Sequence, residues 1–321
     1  MRRTSPRARR TLLYLTPVIV VALLVGIAAS DSGGSGEEPT RARDGLTGAV
    51  RIDGAAAMRD LVDRAAQRFH TRHPDVRVTV GASGDESAIA LFCAGEIDIA
   101  AVARRLDRAE RRACRTAETD YSEIEVAREG IALVVSEQNR FVDCLSLEQV
   151  RAIWRRTNPA ATWAEVDPRF PAVPLEPAGW KPDTPPATML AQALYGPIDP
   201  LTRDDYEVAG DAKELTKLVA PSPYALGYLP IVQLNPSAGV RPLALDAGSG
   251  CIAPTVESVD DGSYPVLMRS LNLEVRTASL RRPEARRFVR EFIARSPAVT
   301  RADGAVPVPF SHRVYRKFTR P

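Results

Sequence analysis

The residues best placed to do chemistry lie between Val76 and Ile99. Val76, Val78 and Val80 alternate as a half-buried strand does, Gly81 to Gly84 make a small-residue turn, and a helical run follows. A strand feeding such a turn presents unpaired backbone N–H groups and the positive end of a helix dipole, which suits an anion. Here the helix opens with Asp85 and Glu86. Carboxylates cap a helix start well, and they also fill and repel the place an anionic guest would take. No other pattern points to catalysis. Ser83 has no candidate base nearby, and there is no G-x-S-x-G, H-E-x-x-H, P-loop or dinucleotide fingerprint. An enzyme is therefore the weakest class. His70, His73 and His312 lack metal-ligand spacing, so neither a metal nor a cofactor is expected, and His70 and His73 read as solvated residues at a helix end before Pro74.

The elements that must position this turn are set by length and charge. A chain of 321 residues has room for about two domains. Arg2, Arg3, Arg7, Arg9 and Arg10 precede an apolar run from Leu12 to Ala29, with no acid in the first thirty residues. Setting those five aside leaves 38 basic residues of the 43 against 40 acidic, a balance of about −2. Nucleic-acid binding loses its electrostatic support. The pattern is an export signal, with residues 1–11 held in the cytoplasm and 12–29 either a transmembrane anchor or a cleavable segment. Eighteen apolar-leaning residues exceed the usual signal core and approach the roughly 20 that span a bilayer. Ala28, Ala29 and Ser30 would also serve as a cleavage site. The expectation is a single-pass cell-membrane protein with an extracytoplasmic domain, or an exported one, with residues 30–46 as a flexible tether. An oxidising compartment permits Cys93, Cys114, Cys144 and Cys251 to form two disulfides, and four cysteines allow three connectivities.

From Val50 onward short apolar runs alternate with helical segments, the signature of an α/β fold. Met58, Leu61, Val62, Ala65, Ala66 and Phe69 recur at helical spacing. Strands are expected at 76–80, 97–102, 124–127, 131–136, 225–229, 240–245 and 271–276. Ser146-Leu147-Glu148-Gln149 is a capping box for a helix through Trp154, and helices are expected near 211–219, from Pro254-Thr255, and over 283–295. Six prolines between Pro171 and Pro186 predict irregular structure over most of 168–200. Trp154, Trp163 and Trp180 read as packing residues, with Trp180 the best outside candidate for a cleft aromatic, and the arginines from Arg281 to Arg295 as a solvated helix face.

Several runs carry a resemblance: Leu91-Phe92-Cys93-Ala94-Gly95-Glu96-Ile97-Asp98-Ile99, Asp143-Cys144-Leu145-Ser146 through Trp154, Thr162-Trp163-Ala164-Glu165-Val166, Ala225-Leu226-Gly227-Tyr228, Gly250-Cys251-Ile252-Ala253-Pro254 and Asp261-Gly262-Ser263-Tyr264-Pro265. In order and spacing they resemble the periplasmic phosphate-binding proteins of ABC importers over about 50–309. The resemblance implies a two-lobed periplasmic-binding-protein fold of type II. Two crossing strands, near 130–136 and 268–276, would join lobe 1 (47–137 plus 268–321) to lobe 2 (138–267). It implies the pairs Cys93–Cys114 and Cys144–Cys251, a small solute as ligand and an ABC permease as partner.

That family grips phosphate through four short stretches, and this chain departs from each. Gly54-Ala55-Ala56-Ala57 stands where Gly-Ser-Ser-Thr is expected, and Ser83-Gly84-Asp85-Glu86 where Ser-Gly-Thr-Gly is expected. Ala101-Val102-Ala103-Arg104 keeps only the arginine of Asp-Ala-Ser-Arg, and Lys181-Pro182-Asp183-Thr184 keeps only the threonine of Asp-Ser-Gly-Thr. Each hydrogen bond to a charged ligand is worth roughly 1.5 to 3 kcal/mol, so these losses remove decades of affinity. The expectation is an extracytoplasmic solute-binding protein whose ligand has changed from phosphate, to a zwitterionic or cationic solute. The alternative is a membrane-tethered, non-transporting sensor or protein-interaction domain on the same fold. The candidate cleft residues are Gly54, Ala55, Ala56, Ala57, Ser83, Gly84, Asp85, Arg104, Asp183 and Thr184.

Overall fold

The computed structural model describes residues 45–196, 202–264, 266–302 and 305–308. The expected anchor and all but the last two residues of the expected tether lie outside them, and Leu46 packs against the core of Met58 and Phe69. Strand β1 (Gly48–Gly54) leads into α1 (Ala56–Arg72), whose Met58, Leu61, Val62, Ala66 and Phe69 are buried at the expected spacing. Then come β2 (Val76–Val80), α2 (Asp85–Ala94), β3 (Ile99–Val102) and α3 (Arg108–Thr116). Gly95, left-handed at φ 84°, ends α2 with its N–H on Leu91 and Phe92 carbonyls.

The chain then runs through β4 (Tyr121–Ser136) as one sixteen-residue strand where two were expected. Arg128, Glu129 and Gly130 read as a break because they are polar or small. They continue the ladder opposite Met268 to Ser270, and their charges are spent laterally, Arg128 on Glu125 and Glu129 on Arg269.

Beyond β4 lie β5 (Cys144–Ser146), α4 (Leu147–Trp154) and the short α5 (Trp163–Val166). The capping box forms, with Ser146 accepting from the Gln149 N–H. The proline-rich region is more regular than expected: it holds β6 (Glu176–Trp180) and α6 (Pro185–Tyr195). Pro185 and Pro186 occupy the first helical turn, where a missing N–H removes no intrahelical bond. Next are β7 (Glu207–Ala209), α7 (Ala212–Val219) and β8 (Ala225–Pro230). In place of one strand at 240–245 stand β9 (Val240–Pro242) and β10 (Ala244–Asp246), which pair with different partners, β4 and β5. They are followed by β11 (Cys251–Ile252), α8 (Val256–Asp260), β12 (Met268–Arg276), α9 (Pro283–Ala302) and β13 (Val306–Pro307).

The main sheet has the order β2-β1-β3-β12-β4-β8-β6-β7, with β9 and β13 also on β4. Over Tyr121–Gly130 β4 pairs with β12, and over Ile131–Val135 with β8. One apolar core gathers Val50, Met58, Phe69, Ile99, Ile124, Leu273 and Phe288; another gathers Ile131, Leu133, Trp154, Trp163, Leu226, Tyr228 and Leu267. The chain passes between them at Gly130–Ile131 and returns at Leu267–Met268.

Both disulfides form as the resemblance implied, Cys93–Cys114 tying α2 to α3 and Cys144–Cys251 tying β5 to β11. Trp154 and Trp163 are fully buried. His73 departs from expectation. It is 3% exposed, its ring lies 4.4 Å from that of Phe69, and its Nε2 sits 2.8 Å from Glu291 on α9. The arginines of α9 mostly face solvent, but Arg282, just before it, is drawn onto Asp98.

Among the described residues no helix is long and apolar enough to cross a membrane.

Candidate functional site

Three of the four expected stretches meet at the ends of β1 and β3 and the start of α2. The Ala55 N–H donates to the Ala101 carbonyl at 2.9 Å and the Gly84 N–H to the Gly54 carbonyl at 3.0 Å. Gly54 is required there: a Cβ would stand 1.8 Å from the Ala101 oxygen. Gly84 turns the chain into α2 at φ 95°, in the region that favours glycine.

Three backbone N–H groups of this corner and the Arg104 guanidinium are engaged by carboxylates of the chain itself. Asp53 Oδ1 accepts from the Gly54 N–H at 2.7 Å and the Ser83 N–H at 2.8 Å. Asp85 Oδ1 accepts from the Ala103 N–H at 2.9 Å, and its Oδ2 lies 4.0 Å from Arg104. Arg104 lies mainly on Glu110: two bonds of 2.7 Å join the guanidinium to both carboxylate oxygens. Glu110 is fixed in turn by its capping box with Asp107 at the start of α3. The hydrogen bond from Arg104 holds the Glu110 carboxyl below its usual range, while that pairing keeps the guanidinium charged. Burial pushes the Asp85 carboxyl up, opposed by the Ala103 N–H and by the charges of Arg104 and Arg269.

The fourth stretch makes no hydrogen bond or ion pair with this corner among the described residues. Asp183 adopts φ 68°, and the Thr184 hydroxyl donates 2.7 Å back to the Lys181 carbonyl, so it does not cap α6. With Pro185 and Pro186 next, the start of α6 lacks two N–H groups. Beside it opens a cavity of about 220 Å³ lined by Glu129, Gly130, Ile131, Trp180, Pro185, Pro186, Met189, Pro230, Gln233 and Arg269. Arg269 lies 2.6 Å from Glu129 and its charge also reaches Asp85, so it links this cavity with the first corner.

Sequence reasoning missed Asp53, Glu110, Glu129 and Arg269. The D-x-x-E spacing of Asp107 and Glu110 was a readable capping signal, and Asp53 directly precedes Gly54. No pattern announced Glu129 or Arg269, which meet only because β12 returns along β4. Among the described residues no group of three or more His, Cys, Asp or Glu side chains could hold a metal ion.

The two α/β cores are joined through the strands β4 and β12, and the cavity opens where these strands pass from one core to the other. Residues 34–296 match the PBP superfamily domain, and the chain belongs to that superfamily, a class that binds substrates without transforming them. It is 27% identical over 263 residues to the protein SphX of Synechococcus elongatus, covering 81% of this chain and 77% of that one. It is 28% identical over 156 residues to the phosphate-binding protein PstS of Staphylococcus aureus, covering 49% of this chain and 45% of that one. The crystal structure of a possible phosphate-binding protein from Planctomyces limnophilus superposes with a TM-score of 0.79 at 24% identity, covering 85% of this chain and 97% of that one.

Proposed function

We propose that this protein is an extracytoplasmic solute-binding protein related to the phosphate receptors of ABC importers, with a recognition site that no longer takes phosphate. Its lobes are residues 47–130 plus 268–321 and residues 131–267, the first boundary moved back from the expected 137 because Ile131–Val135 pack with Trp154 and Trp163; it is held at or exported across the membrane by residues 12–29, and it serves an ABC permease. The observation that carries the reading is the engagement of the Ser83 N–H by Asp53, the Ala103 N–H by Asp85 and the Arg104 guanidinium by Glu110. A phosphate placed about 4 Å from a retained carboxylate meets a repulsion of about 4 kcal/mol at an effective dielectric of 20. The hydroxyls that would offset it are replaced by Ala55, Ala56 and Ala57.

Isothermal titration calorimetry with inorganic phosphate tests this. Wild type is expected to give no saturable heat. A variant carrying Ala55→Ser, Ala56→Ser, Ala57→Thr, Asp85→Thr and Glu86→Gly is expected to gain phosphate binding. Saturable binding to wild type that is abolished by Arg104→Gln would overturn the reading.

A further inference from the structure

The cavity beside α6 is built unlike an oxyanion site. At about 220 Å³ it is smaller than the roughly 300 to 1,000 Å³ usual for drug-sized ligands, and it is much roomier than a single inorganic ion needs. Its walls are mainly apolar: Ile131, Met189, Pro230, the two prolines opening α6, and Trp180. Trp180 is held firmly. Its indole N–H donates to the Tyr228 carbonyl at 3.0 Å, its backbone N–H to the Tyr228 hydroxyl at 3.3 Å, and its carbonyl accepts from Tyr206 at 2.9 Å. With its polar atom committed, the ring offers the cavity only apolar surface, already ordered before any guest arrives.

Set into that wall is one matched pair of charges. Nε and Nη2 of Arg269 both lie 2.6 Å from the same oxygen of Glu129, Oε2. The pair therefore leaves Oε1 of Glu129 and Nη1 of Arg269 unengaged among the described residues. Both side chains keep contact with solvent, at 21% and 13% exposure. A lone anion would gain Arg269 but sit beside Glu129 with Asp85 near, and a lone cation would gain Glu129 but sit beside Arg269. A guest carrying both signs on neighbouring atoms meets an opposite charge at each end, and its apolar remainder covers Trp180 and Met189.

We propose that this cavity is the solute site of the protein and that it takes a small amino-acid zwitterion with an apolar side chain, carboxylate on Arg269, ammonium on Glu129 and side chain against Trp180. The assignment rests on the reading of the chain as a solute-binding protein whose phosphate site has changed. It differs from that reading in seating the guest on β4, β12 and α6 instead of on Gly54, Ser83 and Arg104.

The test is titration calorimetry on the intact chain in mild detergent with leucine, methionine, phenylalanine, N-acetyl-leucine, leucinamide and inorganic phosphate. The free apolar amino acids are expected to bind, and either single-charge analogue of leucine to bind at least roughly tenfold more weakly. Glu129→Gln is expected to narrow the gap between leucine and N-acetyl-leucine, and Arg269→Gln the gap between leucine and leucinamide. Trp180→Ala should weaken all apolar guests; because it also opens a core position, Met189→Ala serves as a second, milder probe with the same expected direction. The proposal is overturned if no amino acid binds more tightly than about 10 mM. It is overturned equally if Glu129→Gln and Arg269→Gln leave the discrimination between leucine and its analogues unchanged. The phosphate arm separates the two readings: phosphate binding lost with Arg104→Gln removes the parent reading, whereas silence toward phosphate and amino acids alike removes this assignment alone.

Discussion

Asp98 shows how a carboxylate can be committed wholly to structure. It is 4% exposed, accepts from the Arg51 N–H at 2.8 Å and the Ser279 hydroxyl at 2.7 Å, and pairs with Arg282. Burial pushes its carboxyl up, yet these donors outweigh burial and hold it below its ordinary value. Its stabilising contribution is therefore present above the unfolded carboxylate pKa, about 3.9, and is lost as pH falls through the lower folded value. Asp98→Ala would strand three donors, and the expected cost at pH 7 is about 3 to 5 kcal/mol, read as a lowered urea midpoint. A loss under about 1 kcal/mol would show that the donors find water instead. Asp98 was legible as framework because it sits in a run with recognisable spacing. Glu129 and Arg269 were not, because they lie 140 positions apart and share no local pattern. Local rules expose caps and turns; they are silent about which charges a returning strand brings together.

The returning strand also carries a buried acid. Glu274 on β12 is fully buried, in register with Ala100 of β3 and Glu123 of β4, and neither carboxylate oxygen has a hydrogen-bond partner among the described residues. Burial, reinforced by the charge of Glu123 and opposed by Arg105 and Arg111, pushes its pKa up to about 8. The folded chain therefore keeps a proton that the unfolded chain releases, so stability falls as pH rises from about 4.5 toward 8. Glu274→Gln mimics the protonated acid. It is expected to match wild type at pH 5 and to exceed it at pH 8 by on the order of 3 kcal/mol, measured as denaturant midpoints at both pH values. Identical pH profiles for the two proteins would acquit this residue. The elements were legible where periodicity or a cap marked them, as in α1 and α4. They were misjudged where composition and pairing disagreed: Arg128-Glu129-Gly130 reads as a gap yet is ladder, and Pro185-Pro186 reads as a breaker yet starts a helix.

At the scale of the molecule, Cys93–Cys114 lies in a small apolar cluster of its own with Ile89, Phe92 and Leu106, and Cys144–Cys251 joins two strands of a small sheet, β5 and β11. Cys144–Cys251 closes a separation of 107 residues and Cys93–Cys114 one of 21. In the chain-entropy account the longer loop contributes about 4.7 kcal/mol and the shorter about 3. Replacing Cys144 and Cys251 together by serine should therefore lower the melting temperature more than replacing Cys93 and Cys114. The reverse order would mean that local packing around α2 and α3, not loop length, decides the effect.

The long strand β4 has a further consequence for how the protein is made. Apart from Val306, the core around Trp154 and Trp163 is drawn from one uninterrupted stretch, Ile131 to Leu267, whereas the other needs Val50 to Ala127 and also Leu271 to Ala305. On a ribosome moving at about 5 to 20 residues per second, the inner half is synthesised roughly 2 to 8 seconds before β13 emerges. During that interval β3 and the first half of β4 wait with open edges for β12 to slide between them. The order of birth thus leaves the half bearing Asp53, Asp85 and Arg104 as the last to close, and a nascent chain stalled near residue 267 should bind a holding chaperone there.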